Sequence, residues 1–136
     1  MLLVPIKARQ SHIHGLGVFA MAFIAKGTVV WQFDPGIDKL HPADWVERQP
    51  PHVRRFLASY GVKSLDGRHY YLAGDQTLFI NHSLTPNMAP DPQRRVHDEE
   101  VVVATRDIQP GEELTINYGE IDGADRDKVR QGVPLF

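Results

Sequence analysis

The chain has 136 residues, no cysteine, and 15 basic against 17 acidic side chains, giving a formal charge of −2. That length suits one domain around one core. The near-zero charge argues against wholesale phosphate binding, so no direct nucleic-acid partner is expected. The lack of cysteine excludes disulfides and thiolate-bound metal and fits a reducing compartment. The opening Met1–Lys7 is too short and interrupted for a signal peptide, and no apolar run can cross a bilayer. The expectation is a protein without a membrane partner, cytoplasmic, or nuclear in a source with a nucleus.

Leu2, Val4 and Ile6 alternate and predict an opening strand. Ser11–Ala20 follows, where Gly15 and Gly17 flank Leu16 and let another group approach the backbone closely. This is no dinucleotide fingerprint, because the third glycine and the following helix are missing. A plain turn into a Val18-Phe19 strand explains it equally well. His12 and His14 alternate on one predicted strand face, but no further ligand cluster completes a metal site, so they are read as surface or turn histidines. Thr28–Phe33 is rich in β-branched and aromatic residues and predicts a strand ended by Asp34-Pro35-Gly36. Pro42 suits the first turn of a short helix to about Arg48. A second helix starts at Pro51, with Val53, Phe56, Leu57 and Tyr60 on one apolar face and Gly61 closing it in the left-handed conformation. His69–Leu72 is a further short strand, followed by a turn at Gly74-Asp75.

The apolar run Thr77–Ile80 predicts a short buried strand that breaks into Asn81-His82-Ser83 and turns at Pro86-Asn87. Amides, an imidazole and hydroxyls at a buried strand end must find hydrogen-bond partners, in the chain or on a ligand. A turn capped by its own side chains would also satisfy them. Asp91–Glu100, polar and proline-bearing, predicts a surface loop, and Val101–Thr105 a strand. Ile108–Tyr118 combines a Pro110-Gly111 turn with the alternation Leu114, Ile116, Tyr118. Acidic residues dominate from Asp98 to Asp127, a surface suited to a cationic partner such as a lysine-rich peptide, or simply a solvated face. Ala20, Ile24, Gly27 and Val30 share their spacing with Ala104, Ile108, Gly111 and Leu114, a repeated strand–turn–strand unit that points to small sheets rather than a βαβ layout.

Three of these segments together resemble the SET domain of protein lysine methyltransferases. His14–Ala20 resembles that family's N-terminal glycine motif, Phe79–Asn87 its central asparagine–histidine motif, and Gly111–Gly119 its catalytic tyrosine motif. Order and spacing fit over about residues 6 to 119. The resemblance implies one domain over 1–136, mainly β, a β-clip of several small sheets with a threaded, knot-like core. A helical insert over about 42–60 and a short tail, 120–136, would complete it. It implies S-adenosylmethionine as cofactor, bound by the backbone at Gly15, Leu16 and Gly17, by Asn81, and by the backbone of His82. It implies transfer of a methyl group to a protein lysine, with Tyr118 orienting the amine. Tyr60, Tyr70 and Tyr71 are candidates for the lysine channel, with Tyr71 preferred. Tyr118 could instead be a buried tyrosine bonding a backbone carbonyl.

The chain departs from the family in informative ways. The cysteine-rich, zinc-binding segment that often follows the last motif is absent from Glu120–Phe136, so Val133–Phe136 or a second subunit would close the channel, and a homodimer is plausible. In this the chain resembles the small stand-alone SET proteins of viruses and bacteria. Leu84 stands in place of a frequent cysteine, in an expected buried turn, and Asn117 in place of an acid. Ile116 replaces a common phenylalanine or tyrosine, and its smaller side chain predicts a channel wall that admits more than one methyl group. Two rival readings are a non-catalytic SET-like module that binds a basic peptide and a β-clip domain that binds a small polar ligand.

Overall fold

The computed structural model describes residues 1–123, so the predicted fold-back of Val133–Phe136 lies outside the described residues. The chain forms β1 (Ile6–Gln10), β2 (Leu16–Ala20), β3 (Val29–Trp31) and β4 (Lys39–Pro42). The helices α1 (Ala43–Glu47) and α2 (Pro51–Tyr60) follow, then β5 (Val62–Lys63) and β6 (His69–Leu72). A 3-10 turn (Gln76–Phe79) leads into β7 (Asn81–His82), β8 (Met88–Val96), β9 (Glu99–Ala104), β10 (Thr115–Ile116) and the one-turn helix α3 (Tyr118–Ile121). The expected architecture of several small sheets is what forms. There are antiparallel β1-β2, parallel β7-β10, and the three-stranded sheets β3-β9-β8 and β4-β6-β5.

The two copies of the internal echo pair with each other. Ile24 and Ile108 exchange backbone hydrogen bonds at 2.9 and 2.8 Å, Gly27 N–H donates to Ala104 O at 2.8 Å, and Gly111 N–H donates to Ala20 O at 2.7 Å. Gly27 and Gly111 both sit at positive φ, 85° and 88°, where a side chain would strain the backbone. Val18, Ala20, Ile24, Val30, Ala104, Ile108 and Leu114 all lie in the buried core. The repeated apolar spacing is therefore the core seen twice.

Several boundaries differ from the sequence reading. Leu2 joins only as a single bridge to Trp31, and the opening strand lies later, at Ile6–Gln10. His12 and His14 sit in the exposed bend between β1 and β2, not on a strand. Pro42 precedes α1 and ends β4, a strand with no period-2 signal of its own. In α2 only Leu57 is fully buried, and Phe56 is 46% exposed and packs on the Tyr60 ring, so the apolar face is narrower than the spacing predicts. Gly61 is extended (φ −80°, ψ 159°), not left-handed. Clearance requires glycine there, because a Cβ would stand 2.6 Å from Leu57 O.

The run Thr77–Ile80 is not a strand: Thr77, Leu78 and Phe79 belong to the 3-10 turn Gln76–Phe79, and Ile80 is its extended C-cap. The Asp75 carboxylate accepts Thr77 N–H at 3.1 Å and Leu2 N–H at 2.8 Å, which caps a helical start and outweighs the apolar β preference. Asp91–Glu100 is a hairpin, not a loop. His97 (φ 53°) and Asp98 (φ 62°) make the two-residue turn that both positive angles allow. Pro90 and Pro92 are tolerated because β8 is an edge strand with a register shift between Asp91 and Arg95.

Candidate functional site

The β7-β10 pair brings the second and third motifs side by side, Thr115 opposite Asn81 and Ile116 opposite His82. Asn81 is 2% exposed, and its Nδ2 donates to His14 O at 3.0 Å, Leu16 O at 3.1 Å and Glu113 Oε1 at 2.8 Å. Two amide protons serve three acceptors, so Nδ2 is committed to the chain itself. Only the Oδ1 of that side chain remains as an acceptor for a ligand.

Glu113 lies inside the third motif, where the sequence reading assigned it no role, and proves central. Its carboxylate accepts Ser11 Oγ–H at 2.9 and 2.8 Å, and Ser11 Oγ in turn accepts Ile13 N–H at 2.9 Å. A Cβ at Gly17 would stand 2.1 Å from Glu113 Oε1. The close approach that Gly17 permits is therefore from Glu113 of the chain. Gly15 is different. It sits at φ 44° with nothing within 4 Å of where a Cβ would be, and Leu16 beside it is 47% exposed. The outer face of this loop is open backbone, which fits close approach by a cofactor.

His82 is placed through its side chain: Nδ1 accepts Tyr118 N–H at 3.0 Å, and the two rings tilt together with centroids 5.3 Å apart. Accepting at Nδ1 puts the ring proton on Nε2. Asn117 caps α3 by accepting Gly119 N–H at 2.9 Å, so the expected strand alternation stops at Ile116. The Tyr118 hydroxyl donates to Ile80 O. The backbone-carbonyl bond foreseen as the bland role of this tyrosine is thus present, and the ring still faces a cavity. Asn87, the other amide of the central stretch, is structural. It is buried, donates to Glu113 O at 2.8 Å and accepts Thr115 N–H at 2.9 Å, fastening β10. Ser83 and Thr85 form the self-capped turn, Ser83 Oγ accepting Thr85 N–H at 3.0 Å. Leu84 at its tip is 78% exposed, so the turn expected to be buried faces solvent.

Tyr118, Ile116, Ile80, Phe33, Tyr60 and Tyr71 all line one cavity of about 400 Å³. Two of the three candidate channel tyrosines meet there. Tyr70 does not line it, and Lys63 Nζ lies 5.7 Å from its ring centroid. Tyr71 packs edge-on against Phe33, centroids 6.3 Å apart, and its hydroxyl donates to Glu99. Burial first, then the Glu99 hydrogen bond and charge, push the Tyr71 phenol well above its ordinary value, so it stays a neutral donor. Trp31 lines the same cavity, and its indole N–H is the buried side-chain polar atom without a hydrogen-bond partner among the described residues.

The SET domain family model matches residues 15–119. The "Histone-lysine N-methyltransferase, H3 lysine-4 specific" of Schizosaccharomyces pombe is 34% identical over 128 residues, covering 91% of this chain and 14% of that protein. "Histone-lysine N-methyltransferase set-2" of Caenorhabditis elegans is 31% identical over 117 residues, covering 83% of this chain and 8% of that protein. The chain thus spans less than a sixth of these curated relatives. Among solved structures, the Neurospora SET domain protein DIM-5, a histone lysine methyltransferase, superposes with a TM-score of 0.63 at 25% identity. It covers 86% of this chain and 53% of that one. Apo ctPRC2 superposes with a TM-score of 0.68 at 25% identity, covering 92% of this chain and 16% of that one.

Proposed function

The chain belongs to the SET domain family, and we propose that it transfers a methyl group from S-adenosylmethionine to the ε-amine of a protein lysine. One observation carries this reading. The short β7-β10 pair holds, within two residues, Asn81 tied to the open glycine loop and Ile116 beside Tyr118 on the aromatic cavity. A ligand on the loop and a side chain in the cavity would meet at that junction.

Bound S-adenosylmethionine supplies a methyl group on a cationic sulfur. The chain's own residues supply alignment and desolvation. Gly15, Leu16 and Gly17 offer backbone for the cofactor, Asn81 Oδ1 offers an acceptor for its ammonium, and the backbone of His82 borders the same place. With its proton donated to Ile80 O, the Tyr118 hydroxyl turns lone pairs outward and can accept an N–H from the entering amine. His82 holds the Tyr118 backbone and so fixes the ring's origin. Lysine is mostly protonated near pH 7, and the half-buried apolar wall favours the neutral, nucleophilic amine. Ile116 leaves space on that wall for a methylated amine to turn and react again.

The Schizosaccharomyces pombe relative is named for lysine 4 of histone H3, and only the lysine is carried over to this chain. No cysteine is present to build a zinc-bound outer wall, and Tyr60, at the end of the insert, supports a wall made by it. Calorimetric titration with S-adenosylmethionine tests the reading. Wild type should bind and Asn81→Ala should lose at least tenfold in affinity, about the 1.5 kcal/mol of a hydrogen bond to a charged group. Tyr118→Phe should keep binding and lose turnover on lysine peptides by about a hundredfold. Unchanged turnover in that variant would remove Tyr118 from the chemistry.

A further inference from the structure

Glu113 is a half-buried anion that the chain accommodates without neutralising. Its neighbour Glu112 pairs with Arg106 Nη1 at 3.1 Å, but Glu113 has no cationic partner among the described residues. Arg9, opposite Gly17 in the β1-β2 register, is engaged elsewhere. It lies over the Phe19 ring, 4.0 Å from the centroid, and donates to Gly111 O at 3.2 Å. The bonds that reach Glu113 come from neutral groups, the Ser11 hydroxyl and the Asn81 amide. Taking a carboxylate partly out of water is costly unless a cation compensates. The fold nevertheless makes room for it at Gly17, where a Cβ would stand 2.1 Å from Glu113 Oε1.

Asn81 carries that charge towards the glycine loop. Its Nδ2 is 2.8 Å from Glu113 Oε1, and Oδ1, at the other end of the amide, accepts no bond from the described residues. Asn81 is 2% exposed, yet the fully enclosed side-chain atom without a partner among the described residues is Trp31 Nε1, so Asn81 Oδ1 still reaches solvent. An amide whose N–H bonds a carboxylate is polarised, and its oxygen becomes a stronger acceptor. The carboxylate, one amide away, also attracts a cation directly. A group that meets Oδ1 therefore meets more negative potential than a lone asparagine makes.

We propose that Glu113, acting through Asn81, selects for a cationic amine on the ligand of the glycine loop. This rests on the S-adenosylmethionine reading and deepens it: the ammonium of the cofactor is the group selected, and Glu113 is its counter-charge. Glu113 does not touch the ligand. It is a positioning residue, and Gly17 and Ser11 hold it against Asn81. The clearance at Gly17 then serves ligand choice as well as the fold.

Binding, not turnover, gives the test. Two ligands are titrated by calorimetry against the full chain: S-adenosylhomocysteine and its deamino analogue, which keeps the adenosine and the carboxylate and has hydrogen in place of the amine. Wild type should prefer the amine by about a hundredfold, about tenfold from the Asn81 hydrogen bond to a charged group and about tenfold from the Glu113 charge. Glu113→Gln keeps the side-chain shape and should reduce the preference to about tenfold. Ser11→Ala removes a neutral donor from the same network and leaves the charge, so its preference should stay near a hundredfold even where its melting point falls. A preference that survives Glu113→Gln, or that falls equally in Ser11→Ala, would overturn the proposal and leave the cofactor reading standing. If Glu113→Gln does not fold, wild type decides alone, because a preference of about tenfold or less is that of a neutral amide and overturns the proposal as well. Binding of neither ligand would overturn it together with the cofactor reading.

Discussion

Gly17→Ala is a small change with a large expected effect. Gly17 lies on β2 without a left-handed φ, so alanine costs no backbone strain, and the whole effect is steric. The new Cβ would stand 2.1 Å from Glu113 Oε1, against the 3.4 Å where ordinary contact begins, so the carboxylate must retreat by about 1.3 Å. It cannot do so freely, because it holds Ser11 Oγ at 2.8 Å and Asn81 Nδ2 at 2.8 Å. Losing one hydrogen bond to a charged acceptor costs about 1.5–3 kcal/mol. At about 4 °C per kcal/mol for a chain of this size, the midpoint of thermal unfolding should fall by roughly 6–12 °C. The assay is a circular-dichroism melt of Gly17→Ala, Glu113→Ala and the double variant. If the clash is with Glu113, the second substitution adds less than about 0.5 kcal/mol once the carboxylate is gone. Additive losses would refute the reasoning.

Two further outcomes follow from the cavity. The Tyr71 phenol is raised in the fold by burial and by Glu99, so the folded chain keeps a proton that the unfolded chain releases near pH 10. Its stabilising contribution is complete below that pH and lost as the pH rises above it. Urea unfolding from about pH 8 to pH 11 should show a decline in stability that Tyr71→Phe flattens, and an equal slope in the variant would contradict the assignment. Ile116, buried beside Tyr118, should allow di- or trimethylated product, and Ile116→Phe should shift the product to monomethyl by mass spectrometry. Only monomethyl product from wild type after exhaustive turnover would sink that expectation.

What could be read in the sequence was whatever local chemistry decides. α2 was legible because Pro51 fits a first turn and Leu57 falls on a 3.6-residue period. β2, β6 and most of β9 were legible as short β-branched or aromatic runs. β8 was hidden because Pro90 and Pro92 argue against a strand until the edge position is known. The 3-10 turn was hidden because Asp75 caps it from outside the apolar run. At the site, Asn81, His82 and Tyr118 stood out as motif residues. Glu113 and Ser11 did not, because their meeting spans 102 residues and neither has an unusual local pattern. The signal available was a clearance signal: of the two glycines, Gly17 lies on the strand itself, where a turn does not require it.

That clearance links the three motifs into one unit. Val18 O accepts Leu114 N–H at 2.8 Å, and Ala20 N–H donates to Glu112 O at 2.9 Å, so the strand after the glycine loop is zipped to the segment that carries Glu113. Asn87 then fastens Thr115 at 2.9 Å, and β10 lies in register on β7. Asn81 reaches back from β7 to the carbonyls of His14 and Leu16. The path is closed: loop to third motif, third motif to second, second to loop. A displacement at any one of these contacts must be shared by the other two. Tyr118, one residue beyond Asn117 and held by His82 and Ile80, inherits its position from that closed path. Substitutions at Ser11, Gly17 or Asn87, none of them facing the aromatic cavity, should therefore change turnover together with stability, whereas Tyr118→Phe, which removes only the hydroxyl bond to Ile80 O, should cut turnover far more than stability.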